Sequence, residues 1–316
     1  MTLAWLLRRI ALVIPTLLAA TVVVFLMIHL APGDAAQAML GPMATGDVLE
    51  ELREDLGLND PIPVQYVRWL ERAVQGDLGK SIRQQLPVAD LVLEKFRNTA
   101  ILGVASLGFA IIVGLALGFV AALKRGSLID RLVIVLASSG IAIPSFFLAL
   151  LLSYLFGTRL GWLPSSGMYD IQGGGGFVDL LRHLILPAIA LAAAPIAVVA
   201  RMTRSSTLEV TGADFVRTAR AKGLSEPSVT MGHISRNALI PIIHLLGLQA
   251  GILLSATALV EVVFSWPGIG SLMVDSILTR DLPVTQGCVL AIATVYALVS
   301  VVADMTHAAL DPRLHE

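Results

Sequence analysis

Residues 98–123 read NTAILGVASLGFAIIVGLALGFVAAL, twenty-six positions without one Asp, Glu, Lys or Arg. A helix crosses the hydrocarbon core of a bilayer with about 20 apolar residues. In lipid, backbone polar groups must be satisfied within the element, so such a stretch is read as a helix. Five more charge-free windows follow the same rule: 10–33, 132–158, 183–200, 237–260 and 282–303. The window 183–200 is the shortest and carries Pro187 and Pro195. The window 10–33 follows Arg8 and Arg9, as a secretory signal would, but its 24 residues exceed a signal core of roughly 7–15. It is read as a retained span. The expected fold class is therefore an all-α polytopic membrane protein with six transmembrane helices.

Composition agrees. Of 316 residues, 56% are hydrophobic and only 14% charged, against roughly 25% charged in a soluble domain. So much apolar surface does not fit one soluble core. Lys and Arg number 22 against 23 Asp and Glu, which excludes a basic nucleic-acid binder and an acidic disordered chain. A single cysteine, Cys288, excludes a disulfide framework, and no Cys/His cluster has zinc spacing.

Orientation follows from Lys and Arg near the span ends. With the N-terminus inside, the inner segments hold Arg8, Arg9, Lys124, Arg125, Arg131, Arg201, Arg204, Arg217, Arg220, Lys222, Arg236 and Arg313. The two short outer loops hold only Arg159, Arg182 and Arg280. Both termini are expected on the cytoplasmic side. The chain then divides into 1–97, a first span plus a helical outer segment, and 98–316, a five-helix core with an inner loop at 201–240.

The outer segment carries local helix signals. Asp47 with Glu50 resembles a capping box, and Gly57 follows as a stop. A second helix is expected from Pro63 to Val74, ending before Gly76, and a third from near Pro87 into the second span. The run Gly173–Gly176 marks an irregular outer loop. The inner loop reads helix, glycine, cap, helix. Thr211 with Asp214 can cap a helix through Phe215, Val216, Thr218, Ala219 and Lys222. Gly223 supplies a left-handed stop, and Ser225 is a candidate N-cap with Pro227 in the following turn. A structured amphipathic hairpin on the inner face has the form of a docking element. The competing reading is a positively charged hairpin resting on lipid headgroups.

Several chemistries are absent. Gly76-Asp77-Leu78-Gly79-Lys80-Ser81 imitates the end of a phosphate-binding loop, but the glycine required five residues before Gly79 is Val74. There is no HExxH and no Gly-x-Ser-x-Gly elbow, and His29, His183 and His244 share no metal-binding face. No metal site and no catalytic residue are expected. Glu261 lies at the outer end of the fifth span, where a carboxylate must face protein or water. It reads equally as an outer gate or as a snorkelling interface residue. Pro144-Ser145 interrupts the third span; Gln249, Ser255 and Thr257 are candidate pathway-lining groups. Gly247 and Gly251 read first as helix-packing positions. The spans lack the carboxylate string of a carrier with its own ion relay. A stand-alone secondary carrier remains the different-class alternative.

The segment Asp214-Phe215-Val216-Arg217-Thr218-Ala219-Arg220-Ala221-Lys222-Gly223-Leu224, continuing to His233 and Arg236-Asn237-Ala238-Leu239-Ile240-Pro241, resembles the coupling loop of binding-protein-dependent ABC importer permeases. In that superfamily's Glu-Ala-Ala…Gly pattern, Ala219 and Gly223 match. Arg217 and Thr218 replace the Glu and first Ala; His233, Ser235 and Arg236 depart from the later Ile and Leu-Pro. The Arg-Thr-Ala-Arg-Ala-Lys-Gly-Leu form is similar to the dipeptide/oligopeptide/nickel branch. So are Leu56-Gly57-Leu58, Trp69-Leu70, Leu160-Gly161-Trp162-Leu163-Pro164, the Glu261…Phe264…Pro267-Gly268…Gly270 stretch and Asp311-Pro312-Arg313.

The resemblance implies a type I importer permease in a bacterial or archaeal cytoplasmic membrane. Its partners would be membrane lipid, a second homologous permease, two ATPases and an extracytoplasmic binding protein. This chain would bind no cofactor itself, with ATP and Mg held by the ATPases. Cargo would be di- or oligopeptides, with nickel or glutathione as alternatives. Asp214, Phe215, Arg217, Thr218, Ala219, Arg220, Lys222, Gly223 and Leu224 would couple to an ATPase. Gly223→Val forces a β-branched residue into positive φ. It is expected to uncouple transport from ATP hydrolysis; wild-type uptake at matched membrane levels would show this wrong.

Overall fold

The computed structural model describes residues 3–30, 46–55, 59–170 and 175–310. Among them the regular structure is helical: α1 (Leu3–Leu30), α2 (Gly46–Asp55), α3 (Ile62–Val74), α4 (Val88–Leu123), α5 (Leu128–Ala142) and α6 (Ser145–Leu152) come first. A π-helical turn, Ser153–Arg159, prolongs α6. Then come α7 (Phe177–Thr211), α8 (Asp214–Ala221), α9 (Glu226–Ser228), a second π-helical turn Val229–Ile234, α10 (Ser235–Ala238), α11 (Ile240–Val263), α12 (Ile269–Leu278) and α13 (Leu282–Leu310).

Four described helices are long and apolar enough to cross a membrane: α4, α7, α11 and 282–303 of α13. The third expected span is not one rod. It bends by 102° between α5 and α6–Arg159, and counts as a fifth crossing only as a bent pair. The cause is local. Proline disfavours helical backbone in the residue before it, and Ile143 adopts φ −89°, ψ 120°. The first window lies in α1, a helix of 28 residues, and runs on past its end at Leu30 into residues outside the described set.

The described residues pack as two units. One comprises Leu6–Thr99 and Pro267–Ala297. In it Phe25 of α1 meets Tyr66 of α3 edge-on at 5.4 Å, and the Thr21 and Tyr66 hydroxyls are 2.9 Å apart. Val88, Leu91 and Val92 of α4 form a core with Ile269 and Leu272 of α12 and Val284 and Cys288 of α13. The segment imitating a phosphate loop is a closed turn here. Gly76 and Gly79 take positive φ, and the Val88 N–H donates to the Gly79 carbonyl. Asp281, itself buried, accepts from the Ser81 hydroxyl at 2.5 Å and from the Ile82 and Arg83 N–H groups at 3.2 Å.

The expected Asp47–Glu50 capping box is not formed as read. Asp47 lies inside the first turn of α2, and Glu50 instead accepts from Arg53 and Asn59. The expected stop, Gly57, lies outside the described residues, as do Leu56, Leu58, Gly173, Gly174 and the Asp311-Pro312-Arg313 ending. The α3 helix runs as expected and ends in a two-bond glycine cap: Gly76 N–H to Ala73, Asp77 N–H to Arg72.

The other unit comprises Met1–Trp5, Ala100–Trp266 and Leu298–Glu316. Its core gathers Leu102, Ala149, Leu186, Leu191, Leu253 and Trp266, among others. Helix α7 packs against α5, α6 and α11. Glycines set the close crossings. A Cβ on Gly118 would lie 2.5 Å from the Thr203 Cβ, on Gly114 2.8 Å from the Val199 Cβ, and on Gly247 2.4 Å from the Ala303 Cβ. The packing reading of Gly247 therefore holds.

Replacing Asp281 by Ala strands three donors around Ser81. Each buried donor left unpaired costs about 1–3 kcal/mol, so Asp281→Ala is expected to destabilise by about 2–4 kcal/mol. Asp281→Asn, which keeps one carbonyl oxygen, is expected to fall between. Thermal unfolding in detergent reads the order, and an unchanged Asp281→Ala midpoint contradicts it.

Candidate functional site

The inner hairpin is built on a small core of its own. Helix α8 buries Val216 and Ala219 against Val229 and Ile234, with Val210 beside them. Ala219 follows Val216 by three positions, so both fall on one helical face. Asp214, Phe215, Arg217, Thr218, Arg220, Lys222, Gly223 and Leu224 are exposed. Ala219, one of the expected coupling residues, is buried in this core. The turn is closed as its glycine predicts. Gly223 has φ +80°, its N–H donates to the Arg220 carbonyl, and the Leu224 N–H reaches back to Ala219. This is the paired 5→2 and 6→1 arrangement that favours glycine. No atom lies within 4 Å of a Cβ placed on Gly223, so the demand on this residue is conformational.

Two expected caps are absent. Ala213, not Thr211, precedes α8, and the Thr211 hydroxyl donates to the Thr207 carbonyl within α7. A threonine that back-bonds to its own helix is no longer free to cap the next one. Ser225 does precede α9, but its side chain makes no capping bond. The hairpin is held there by an ion pair. Arg220 Nε donates to Glu226 Oε1 at 2.8 Å and Nη2 to Oε2 at 3.2 Å, spanning the Gly223 turn. Exposed pairs contribute little as a rule, but a two-point fork is the favourable case. Arg217 faces Asp214 at 3.6 Å and leaves 75% of its side chain exposed.

The outer end of α11 is a second focus. Glu261 is fully buried at 0% exposure, which removes the snorkelling reading and places its carboxylate among protein atoms. Helix α11 ends there in a glycine-type cap made without glycine. Ser265 takes φ +48°, its N–H donates to Val262, and the Trp266 N–H donates to Glu261. The Gly167 N–H then donates to the Phe264 carbonyl at 2.7 Å, fastening the outer loop to this corner. Gln249 and Thr257 are buried on α11 with Glu261, whereas Ser255 is exposed on the opposite face with Leu248, Ile252 and Leu259. The expected lining set is therefore split. Pro144 and Ser145 sit at the 102° break, exposed and half-buried.

Among the described residues no His/Cys/Asp/Glu group could hold a metal ion. His183 is buried, with Nδ1 3.0 Å from the Asp179 carbonyl and 3.2 Å from its carboxylate. The His29 and His244 side chains lie outside the described set. Sequence reasoning missed one arrangement in this unit. Asp130, buried at the start of α5, receives both Arg204 Nε at 2.6 Å and Nη2 at 2.9 Å. In the sequence Arg204 looks like any other inner positive charge, and 74 positions of separation leave no local signal.

Comparison with known proteins bears on this geometry. A family described as "binding-protein-dependent transport system inner membrane component" matches residues 114–316, and the N-terminal membrane component of the same systems matches residues 2–103. The chain is 42% identical over 310 residues, 98% of each chain, to the glutathione transport system permease protein GsiC of Escherichia coli K12. It is similar to the same degree to GsiC of Salmonella paratyphi A. Among solved structures it resembles a chain of the MetNI methionine ABC transporter in an inward-facing conformation. The TM-score is 0.57 at 17% identity, covering 70% of this chain and 96% of that one. At that identity the likeness establishes the fold alone, that of a type I importer permease. A multi-pass inner-membrane body and an inner hairpin turned on Gly223, matched across nearly the whole chain, lead to one assignment: the protein belongs to the binding-protein-dependent ABC importer permeases, as their inner membrane component.

Proposed function

We propose that this chain is the permease subunit of an ATP-driven importer for small peptides, glutathione included, in a bacterial inner membrane. The observation that supports the cargo class is the 42% identity, over 98% of both chains, to permeases named for glutathione, itself a tripeptide. The family supports the binding-protein-dependent mode of import. ATP and Mg belong to two partner ATPases, and a second homologous permease completes the pathway. An extracytoplasmic binding protein delivers cargo.

The hairpin is the coupling element. Its exposed face, from Asp214 and Phe215 through Arg217 and Thr218 to Arg220, Lys222 and Leu224, docks on an ATPase, while Val216 and Ala219 hold it to the chain. Movement of the ATPases then displaces the hairpin as a rigid body. Ser255, on the exposed face of α11, is open to the route shared with the second permease, with Pro144 and Ser145 at the break of the third span. Gln249, Thr257 and Glu261, buried within this chain, hold α11 in place behind it.

The test is purification of the tagged chain in mild detergent, followed by reconstitution with what accompanies it. Two ATPases, a second permease and ATP-dependent uptake of glutathione or dipeptides are expected. Uptake of nickel alone would move the cargo to the metal branch. Transport by the chain alone under an ion gradient would establish the secondary carrier. Arg217→Glu reverses an exposed charge on the docking face, and charge complementarity sets association. It is expected to lower ATPase recovery about tenfold with the chain's own yield unchanged; equal recovery would remove Arg217 from the contact.

A further inference from the structure

We infer that Asp130 and Arg204 are positioning residues that pass movement of the coupling hairpin to the broken third span. The inference rests on the coupling role proposed above. Its geometry lies wholly within the unit that contains the hairpin.

The hairpin is not a loose appendage of α7. The connection is only Gly212 and Ala213, and it is hydrogen-bonded throughout. Gly212 N–H donates to Glu209, Ala213 N–H to Val210, and the Val216 and Arg217 N–H groups to Ala213. The second arm is fastened as well, because the Ser206 hydroxyl of α7 donates to the Ala238 carbonyl of α10 at 3.0 Å. Val210 also joins the hairpin core. The last turns of α7 therefore move with the hairpin. Arg204 lies on those turns.

Asp130 holds the other side. Its carboxylate takes the two guanidinium bonds and also accepts from the Gly126 N–H at 2.9 Å, while the Asp130 N–H donates to the Ser127 hydroxyl. The Asp130 side chain thus closes the α4–α5 turn while gripping α7, and Ser127 beside it caps α5. Helix α5 leads directly to the break before Pro144, beyond which α6 packs on α11. A forked pair fixes direction as well as distance, which a single point charge does not. Its Asp130 side chain is 4% exposed and the Arg204 side chain 25%, so screening by solvent is limited. The chain of contacts runs from hairpin to α7, to Asp130, to α5 and to the break.

The experiment compares Asp130→Asn, Arg204→Lys and the Asp130→Asn/Arg204→Gln double variant in the reconstituted complex. Peptide taken up per ATP hydrolysed is measured together with chain recovery, ATPase recovery and ATPase rate. Asp130→Asn is expected to lower uptake per ATP about tenfold while both recoveries hold. Arg204→Lys, which keeps the charge but not the fork, is expected to fall between. The double variant is expected to be no worse than Asp130→Asn, the non-additivity of two residues acting as one link. If recovery and uptake fall together with uptake per ATP unchanged in every variant, the pair only stabilises the fold and the inference is overturned. Full coupling in Asp130→Asn overturns it also. A wild-type complex without ATP-driven uptake sinks the importer reading, and this inference with it.

Discussion

A chain surrounded by lipid has to satisfy its backbone hydrogen bonds inside its own helices, and among the described residues the break in the third expected span is a local one. Helix α7 runs unbroken through 35 residues despite Pro187 and Pro195. Its neighbours press close enough to exclude any Cβ at Gly114, Gly118 and Gly140. Where a helix does stop, between α5 and α6, only Ile143 and Pro144 leave the helical region and helical structure resumes at Ser145. The hairpin turned on Gly223 follows directly from the end of the same α7, and Val210 of α7 packs into its core.

Polar groups follow the same economy of placement. Two of the buried carboxylates, Asp130 and Asp281, sit where several donors converge. Exposed charge collects on the hairpin, where it is free to meet a partner. The sequence that imitates a phosphate loop becomes intelligible in this light. Its glycines bend the chain at Gly76 and Gly79 so that Ser81 reaches Asp281. The serine and glycines that suggested nucleotide chemistry are holding a turn closed. Strain appears at Ser265, a non-glycine residue in the left-handed region, at the corner where Glu261, Phe264 and Gly167 meet. Residues held in such a conformation cost about 1–3 kcal/mol and persist where surrounding structure over-determines them. Burial of Phe264 and Trp266 provides that surrounding structure.

Legibility differed by the range of the signal. The glycine stop at Gly223, the helix 62–74, the break at Pro144 and the apolar spans were readable because each depends on a residue and its immediate neighbours. Caps were read less well. The Thr211 hydroxyl could accept from an N–H of the next helix or donate to a carbonyl of its own, and the choice of its own helix is a matter of rotamer and local geometry. Among the pathway candidates, Ser255 looked equivalent to Thr257 in a list of small polar residues. Residues two positions apart on a helix point about 200° apart, so Ser255 and Thr257 face opposite ways, and only packing shows which face is inward.

The sequence by itself determined that the chain is helical and membrane-embedded, that Gly223 turns a hairpin, and that this stretch resembles a loop of the importer permeases. Those properties follow from hydrophobic length and from the backbone freedom of single residues. Tertiary structure alone decided which charges are paired. Asp130 meets Arg204 across 74 positions and Ser81 meets Asp281 across 200. The physical reason is that a carboxylate's partner is set by where helices cross, and a crossing is a property of two surfaces that no local stretch of sequence contains.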